Sequence, residues 1–284
     1  MARVLIAGCG YVGEAAADLF HGRKWEVEGW TGSAESAARL ADRPYPVRAI
    51  DITNRAAVAA ASGEFDVIVQ CVSTKGGDVE DYRALYLEGA RNLLQRFPSG
   101  RFLFTSSTSV YAQTDGTIVD ETSPAEPVHE KGQILRETEK LILTAGGIVA
   151  RLGGIHGPGR SYFLGKFLEG TAVDDPLDRR LINQVHRDDI VSALLLLAEK
   201  TSVEGGEIFN IVGDQPITAG EAYEWLRVRL GKPMPSPSDR ALSARRGQSN
   251  KQVSNAKLRA LGWEPRYPSF EAAMAKSILP SFGF

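Results

Sequence analysis

Three glycines near the start, Gly8, Gly10 and Gly13, are spaced G-x-G-x-x-G directly after the apolar run Arg3 to Ala7. That spacing, between a short strand and a helix, suits a turn that holds phosphate. Gly8 permits the turn, Gly10 lets the backbone approach a pyrophosphate, and Gly13 lets the helix pack close to the strand. With Tyr11 and Val12 they open a helix whose free N–H groups and positive dipole end attract anions. A second strand closes at Thr31-Gly32-Ser33, where a dinucleotide's adenosine ribose is met. An acid there would accept from the ribose 2′-hydroxyl and repel a 2′-phosphate. Thr31 and Ser33 stand there instead, with Arg39 nearby, which favours NADP over NAD. Asp51-Ile52 suits an adenine edge, the carboxylate accepting from the amino group and the apolar side chain lying on the ring. The same stretch also reads as a helix start, with Asp51 or Thr53 as the cap. Cys71, Val72 and Ser73 end a fourth strand and lead into Thr74-Lys75-Gly76-Gly77, at the carboxyl edge where ligands bind.

The elements that must position these groups alternate. Apolar strands are expected at 3–7, 25–30, 47–50, 65–72, 101–105, 147–152 and 207–212. Helices are expected at about 12–21, 53–61, 78–97, 134–143, 188–198, 218–230 and 269–279. Phe65 to Val72 is apolar on both faces, as a central parallel strand should be. Strands alternating with helices at this spacing mean βαβ units and a parallel sheet. The regular alternation stops near Arg160, and residues 160–184 read as helix and irregular structure. Pro233 to Pro237 reads as a mobile linker.

Composition excludes several classes. With 284 residues and a formal net charge of −2, the chain has no general attraction for nucleic acid or anionic membranes. The longest apolar run, Ile190 to Ala198, cannot span a bilayer, and the N-terminal run is too soon broken to be a secretory signal. Two cysteines, Cys9 and Cys71, make neither a disulfide framework nor a zinc site. Reduced thiols in a cytoplasmic protein, with no metal, are the expectation.

In order along the chain, the motifs resemble one family. They are the Gly8–Gly13 loop, Asp51-Ile52, Thr105-Ser106-Ser107-Thr108-Ser109-Val110-Tyr111, Asp120-Glu121 with Pro124 and Pro127, and Arg151 to Gly159. Val185-His186-Arg187-Asp188-Asp189, Ile208-Phe209-Asn210-Ile211 and Leu261-Gly262-Trp263 complete the set. The chain resembles an extended short-chain dehydrogenase/reductase of the NAD-dependent epimerase/dehydratase type. The resemblance implies an α/β fold, a Rossmann-like doubly wound parallel sheet with a small C-terminal α/β substrate domain. Residues 1–159 and about 185–213 would bind NAD(P), and about 160–184 with 214–284 would bind substrate. It also implies a nucleotide-sugar-like alcohol or carbonyl as substrate, hydride transfer as the chemistry, and a homodimer paired through helices around 80–97 and 130–143.

The departures from the family pattern bear on catalysis. The family's tyrosine and lysine of Tyr-x-x-x-Lys fall on Lys131 and Leu135, and its asparagine becomes Tyr86. Only the serine is kept, at Ser107, where it would orient the reacting oxygen. This resembles the atypical branch that lacks Tyr-x-x-x-Lys. Lys131, Tyr111 or Tyr86 would have to supply the proton, unless each is an ordinary loop or core residue. Thr74, Lys75, Tyr86, His156, Arg160 and His186 are the candidates to line the substrate site, although a lone histidine is more often a satisfied structural residue. Asp189 reads as the cap of the helix it begins. The alternative to an enzyme is a protein that binds NAD(P) without chemistry, as a sensor or regulator.

Overall fold

A computed structural model describes residues 1–74, 76–172, 178–233 and 249–284. Its central sheet is mostly parallel and has seven strands. They are β1 (Arg3–Ala7), β2 (Glu26–Thr31), β3 (Val47–Ala49), β4 (Val67–Gln70), β5 (Arg101–Ser107), β7 (Ile148–Leu152) and β10 (Ile208–Ile211), in the order β10-β7-β5-β4-β1-β2-β3. Order reverses beside β1: chain order runs outwards to β2 and β3 on one side and to β4 and β5 on the other. Such a switch point is where an open α/β sheet binds its ligand. The inner strands are buried on both faces, as their unbroken apolar runs require.

The chain forms two compact units. Unit 1 comprises Met1–Val110, Ala125–Arg151 and Ile190–Phe209; unit 2 comprises Tyr111–Pro124, Leu152–Asp189 and Asn210–Phe284. This division gives residues 111–124, 152–159, 185–189 and 210–213 to the C-terminal unit, which the motif-based boundaries did not.

Unit 1 holds α1 (Tyr11–Gly22), α2 (Ala34–Ala38), α3 (Arg55–Ala60) and α6 (Glu130–Thr144). The helix expected over 78–97 is not one regular α-helix. It runs as α4 (Val79–Tyr82), a π turn (Arg83–Glu88) and α5 (Gly89–Arg96). Gln70, fully buried at the end of β4, places its amide nitrogen 3.3 Å from both the Leu85 and Tyr86 carbonyls. That contact satisfies carbonyls of the widened turn.

Unit 2 holds the helices α7 (Tyr162–Leu168), α9 (Ala219–Leu230), α10 (Ala256–Ala260), α11 (Phe270–Ala273) and α12 (Leu279–Ser281). The helix α8 (Arg187–Glu199) begins in unit 2 and continues in unit 1. The core of unit 2 packs Phe163, Leu164, Tyr223, Leu226, Phe270 and Met274. Two short parallel pairs complete this unit: β6 (Ile118–Val119) with β11 (Gln252–Val253), and β8 (Gly154–His156) with β9 (Gln184–His186). Periodicity did not reveal them, because two- and three-residue strands carry no pattern of their own.

Asp189 does not cap α8. Its carboxylate accepts from the backbone N–H groups of Arg266 and Tyr267 at 2.7 and 3.0 Å, and burial pushes its pKa up to about 6. Nor do Asp51 or Thr53 cap α3. Asn54 does, while Asp51 accepts from the backbone and hydroxyl of Thr53.

Candidate functional site

The glycine turn has the shape its spacing requires. Gly8 has φ of +100°, and a Cβ there would lie 2.7 Å from the Val72 nitrogen. A Cβ on Gly13 would lie 2.1 Å from the Gly8 carbonyl oxygen, so α1 can approach β1 only with glycine at this place. A Cβ on Gly10 would meet nothing within 4 Å. No side chain caps α1, which starts at Tyr11 with Val12 buried behind it. An uncapped helix start beside open space is a fit for the pyrophosphate of a dinucleotide. Behind the turn the Cys71 thiol donates to the Gly8 carbonyl at 3.4 Å. Burial pushes the Cys9 thiol up to about 12 and raises Cys71 as well, so both stay protonated and inert.

Beyond β2 the Thr31 hydroxyl donates to the Ser33 carbonyl at 3.1 Å. Ser33, Ser36 and Arg39 form an exposed chain of hydrogen bonds, Ser33 to Ser36 and Arg39 to Ser36, each 3.1 Å. Glu28, the one nearby acid on β2 that is buried, is already engaged: Trp30 donates to it at 2.8 Å and Arg48 pairs with it at 3.5 Å. Asp51 is exposed near the end of β3, but Ile52 is not free to lie on a ring. It is buried against Gly89 of α5, and its carbonyl accepts from Asn92.

At the carboxyl ends of β4 and β5 the candidates part. Ser107 accepts from the Ser109 amide at 3.1 Å, a local turn that leaves its own proton to donate. Its neighbour Ser106 points into the core and donates to Glu139 at 2.6 Å. Tyr86, on the π turn, receives hydrogen bonds from the Ser73 hydroxyl and the Thr74 backbone; burial nevertheless dominates and pushes its phenol up to about 12. It therefore remains a proton donor at neutral pH. Lys131 donates to the Gly77 carbonyl and lies 5.0 Å over the Tyr82 ring, which ties α6 to the loop after β4. Among the described residues no hydrogen bond joins Ser107, Tyr86 and Lys131. Leu135 is buried on the apolar face of α6, where it offers nothing to a ribose hydroxyl.

Three expectations are corrected. Tyr111 is fully buried in unit 2, its hydroxyl 2.8 Å from the Asp120 carbonyl and 2.9 Å from Asn210 Oδ1, so it is a packing residue and not a proton donor to substrate. His186 is buried with both ring nitrogens engaged, Nδ1 by the Asp188 amide and Nε2 by Ser277, and it stacks on Tyr267. His156 is buried beside it, and neither histidine lines an open site. Burial lowers their pKa values to about 3 for His156 and about 4 for His186, keeping both neutral. Arg160 is exposed on the turn that returns its amide to the Gly157 carbonyl. Lys75 lies outside the described residues.

Sequence reading missed Gln70, which holds the π turn, and Glu139. Glu139 is fully buried and takes Ser106, Arg136 and Arg151, the last at 2.7 Å. The signal for it was a helical acid on an otherwise apolar face.

The model of the NAD-dependent epimerase/dehydratase family matches residues 4–133. Residues 4–133 are thus similar to that family. The stretch includes the glycine turn, the loop after β4, the π turn, Ser107 and Lys131. Protein YeeZ of Escherichia coli (strain K12) is 29% identical over 285 residues, covering 94% of this chain and 97% of YeeZ. A structure from Methylobacillus flagellatus, described as a candidate NAD-dependent epimerase/dehydratase, is 26% identical with a TM-score of 0.80, covering 100% of this chain and 99% of that one. The UDP-glucose 4-epimerase of Thermus thermophilus, solved with NAD, shares the fold at a TM-score of 0.81 and 20% identity, covering 99% of each chain. The chain shares the Rossmann-like α/β fold of these structures, and residues 4–133 hold no Tyr-x-x-x-Lys.

Proposed function

We propose that the protein is an NAD(P)-dependent oxidoreductase, epimerase or dehydratase acting on a nucleotide-sugar-like alcohol or carbonyl, with a reduced catalytic set. The observation that carries this reading is the glycine turn: positive φ at Gly8, contact-limited Gly13, and open space at Gly10 before an uncapped α1. When bound, the nicotinamide supplies or accepts a hydride. The chain's residues do the rest. Gly10 and the first amides of α1 hold phosphate. Ser107 donates its proton to the reacting oxygen and fixes its place. Tyr86, protonated at neutral pH and held by Ser73 and Thr74, supports a proton-donor role for a carbonyl oxygen as it becomes an alcohol. Lys131 holds the loop after β4 over the same edge.

The hydroxyl–guanidinium chain Ser33, Ser36 and Arg39, with no free acid on β2, supports NADP over NAD. One observation favours a second reading, binding without turnover. Buried Leu135 replaces the lysine that the family places against the nicotinamide ribose.

Fluorescence titration with NADPH and NADH tests the reading, followed by turnover of a nucleotide sugar by the Ser107→Ala and Lys131→Ala variants. The enzyme reading expects NADPH to bind at micromolar concentration. It also expects Ser107→Ala to lose roughly 10²-fold in turnover while cofactor affinity is kept. Cofactor binding without turnover in the wild-type protein would leave the sensor; no binding of either cofactor would remove both readings.

A further inference from the structure

Gln70 is the last residue of β4, set between Ala7 of β1 and Phe104 of β5 in the sheet. Its side chain is fully buried. The amide nitrogen donates to the Leu85 and Tyr86 carbonyls, each at 3.3 Å, while Oε1 has no partner among the described residues. Turning the amide over would set its oxygen against two carbonyl oxygens, so only this orientation suits the site. A methionine here would fill similar space and leave no orphaned acceptor. Polarity at this place carries a burial cost, and what it secures is the position of two particular carbonyls.

Those carbonyls belong to the π turn, and the helix on each side of the turn is anchored independently. On the C-terminal side, a Cβ on Gly89 would lie 2.6 Å from Ile52 Cδ1, and Asn92 donates to the Ile52 carbonyl at 2.9 Å. On the N-terminal side, Asp78 and Asp81 form a capping box, Lys131 donates to the Gly77 carbonyl and lies over Tyr82, and Arg83 pairs with Glu137 at 3.1 Å. With both flanks fixed, Gln70 acts on the peptide planes between them. Tyr86 stands on this turn. Its carbonyl is one of the two that Gln70 holds, and its phenol oxygen receives the Ser73 hydroxyl and the Thr74 amide. Its ring lies 6.3 Å from Phe104, the partner of Gln70 on β5, and 5.0 Å from Tyr82. One short segment, residues 70–74, thus grips Tyr86 at both ends, its main chain through Gln70 and its phenol through Ser73 and Thr74.

We propose that Gln70 is a positioning residue for Tyr86: by holding the Leu85 and Tyr86 carbonyls it fixes the tilt of the π turn, and so aims the phenol that donates the proton. Gln70 acts through the turn and not on the substrate. Single widened turns inside α-helices occur frequently at functional sites, and here the sheet itself supplies the hold. The proposal rests on the reading of Tyr86 as proton donor, and the first arm of its test needs neither cofactor nor turnover.

That arm is fluorine NMR of the full chain labelled with 3-fluorotyrosine, the Tyr86 resonance being the one lost in Tyr86→Phe. Gln70→Met is expected to fold, to unfold within about 5 °C of the wild-type protein, and to shift the Tyr86 resonance while those of Tyr45, Tyr223 and Tyr267 stay. An unmoved Tyr86 resonance in folded Gln70→Met would overturn the proposal. Should that variant not fold, Gln70→Glu decides. Its neutral carboxyl keeps one donor for the carbonyls and its ionised form keeps none, so the Tyr86 resonance should move between pH 5 and pH 9 by more than in the wild-type protein. No such movement would overturn the proposal. The second arm is turnover of a nucleotide sugar. Gln70→Met is expected to lower kcat about tenfold with KM unchanged, and to cause no further loss in the Tyr86→Phe background. Additive losses, or full kcat in Gln70→Met where Tyr86→Phe loses it, would overturn the proposal. Full kcat in Tyr86→Phe would overturn the donor role itself and the catalytic half of the proposal with it. That result is distinguishable from failure of the hold, because the resonance arm does not depend on it.

Discussion

Two buried charges, Glu139 in unit 1 and Lys251 in unit 2, are treated in opposite ways. In unit 1 Glu139 is fully enclosed, but two guanidiniums and the Ser106 hydroxyl surround it. In unit 2 Lys251 is enclosed without a counter-charge among the described residues, and His156 is enclosed with its Nδ1 unpartnered among them. In the first, each oxygen of Glu139 is used by the fold, tying α6 to β5 and β7. The second leaves capacity unspent. A buried charge that the protein itself satisfies builds the scaffold, whereas one it does not satisfy marks a place kept for something else or a cost borne elsewhere.

The largest effect expected from this contrast is at Glu139. Glu139→Ala should cost about 3–5 kcal/mol of folding stability in urea titration, because it leaves the buried Arg151 guanidinium and the half-buried Arg136 without their carboxylate. Combining Glu139→Leu with Arg151→Met should recover part of that loss, since the pair as a whole is closer to neutral than either half. If Glu139→Ala costs less than about 1 kcal/mol, Glu139 and Lys251 do not differ as argued.

Next come the histidines. The folded pKa of His156, about 3, lies below its unfolded value of 6.5. The unfolded chain therefore binds more protons across that window, and the stability this group contributes is present above pH 6.5 and lost as pH falls. His186, lowered to about 4, acts in the same direction. Asp189, raised to about 6, acts against them between about pH 4 and 6. The net expectation is a loss of about 3 kcal/mol between pH 7 and pH 4.5. His156→Phe should flatten that slope, and an unchanged slope would show that His156 does not carry it.

The smallest effect on stability is expected at Arg39, exposed and bonded to Ser36. Arg39→Ala should change unfolding by no more than about 0.5 kcal/mol, yet weaken NADPH about tenfold while sparing NADH. Equal losses for the two cofactors would remove the preference for the 2′-phosphate.

The contrast between the units also governs what was legible in the residues. The parallel strands announced themselves through apolar runs such as Val67 to Gln70, and the turn through Gly8, Gly10 and Gly13. Both signals are local, and each has few alternative causes. The substrate side was read less well, because polar type was taken as a guide to exposure. His156, His186 and Tyr111 sat beside motif residues and looked like site lining, yet all three are buried. Lys251, flanked by Asn250 and Gln252, gives no sequence signal of burial, yet it is buried on a segment tied to residues 118, 181 and 183. Such enclosure comes from segments far apart in the chain, and no spacing rule reports it. Ser107 was legible by position. Tyr86 and Lys131 were legible as candidates only; the setting of Tyr86 depends on a π turn that periodicity smoothed into one helix, and Lys131 is held by Gly77 and Tyr82 just before it.

That π turn carries one further consequence. A wide turn is a helix holding one residue more than its length needs, so α4 and α5 are out of step around their common axis. Removing a single residue between Arg83 and Glu88 would let the two halves rejoin in phase. The sheet would keep its covering helix, but Tyr86 would swing by about a quarter-turn or more, away from Ser73 and Thr74. The orientation of this phenol is thus set by a count of residues, and a one-residue deletion could erase it in a chain that still folds.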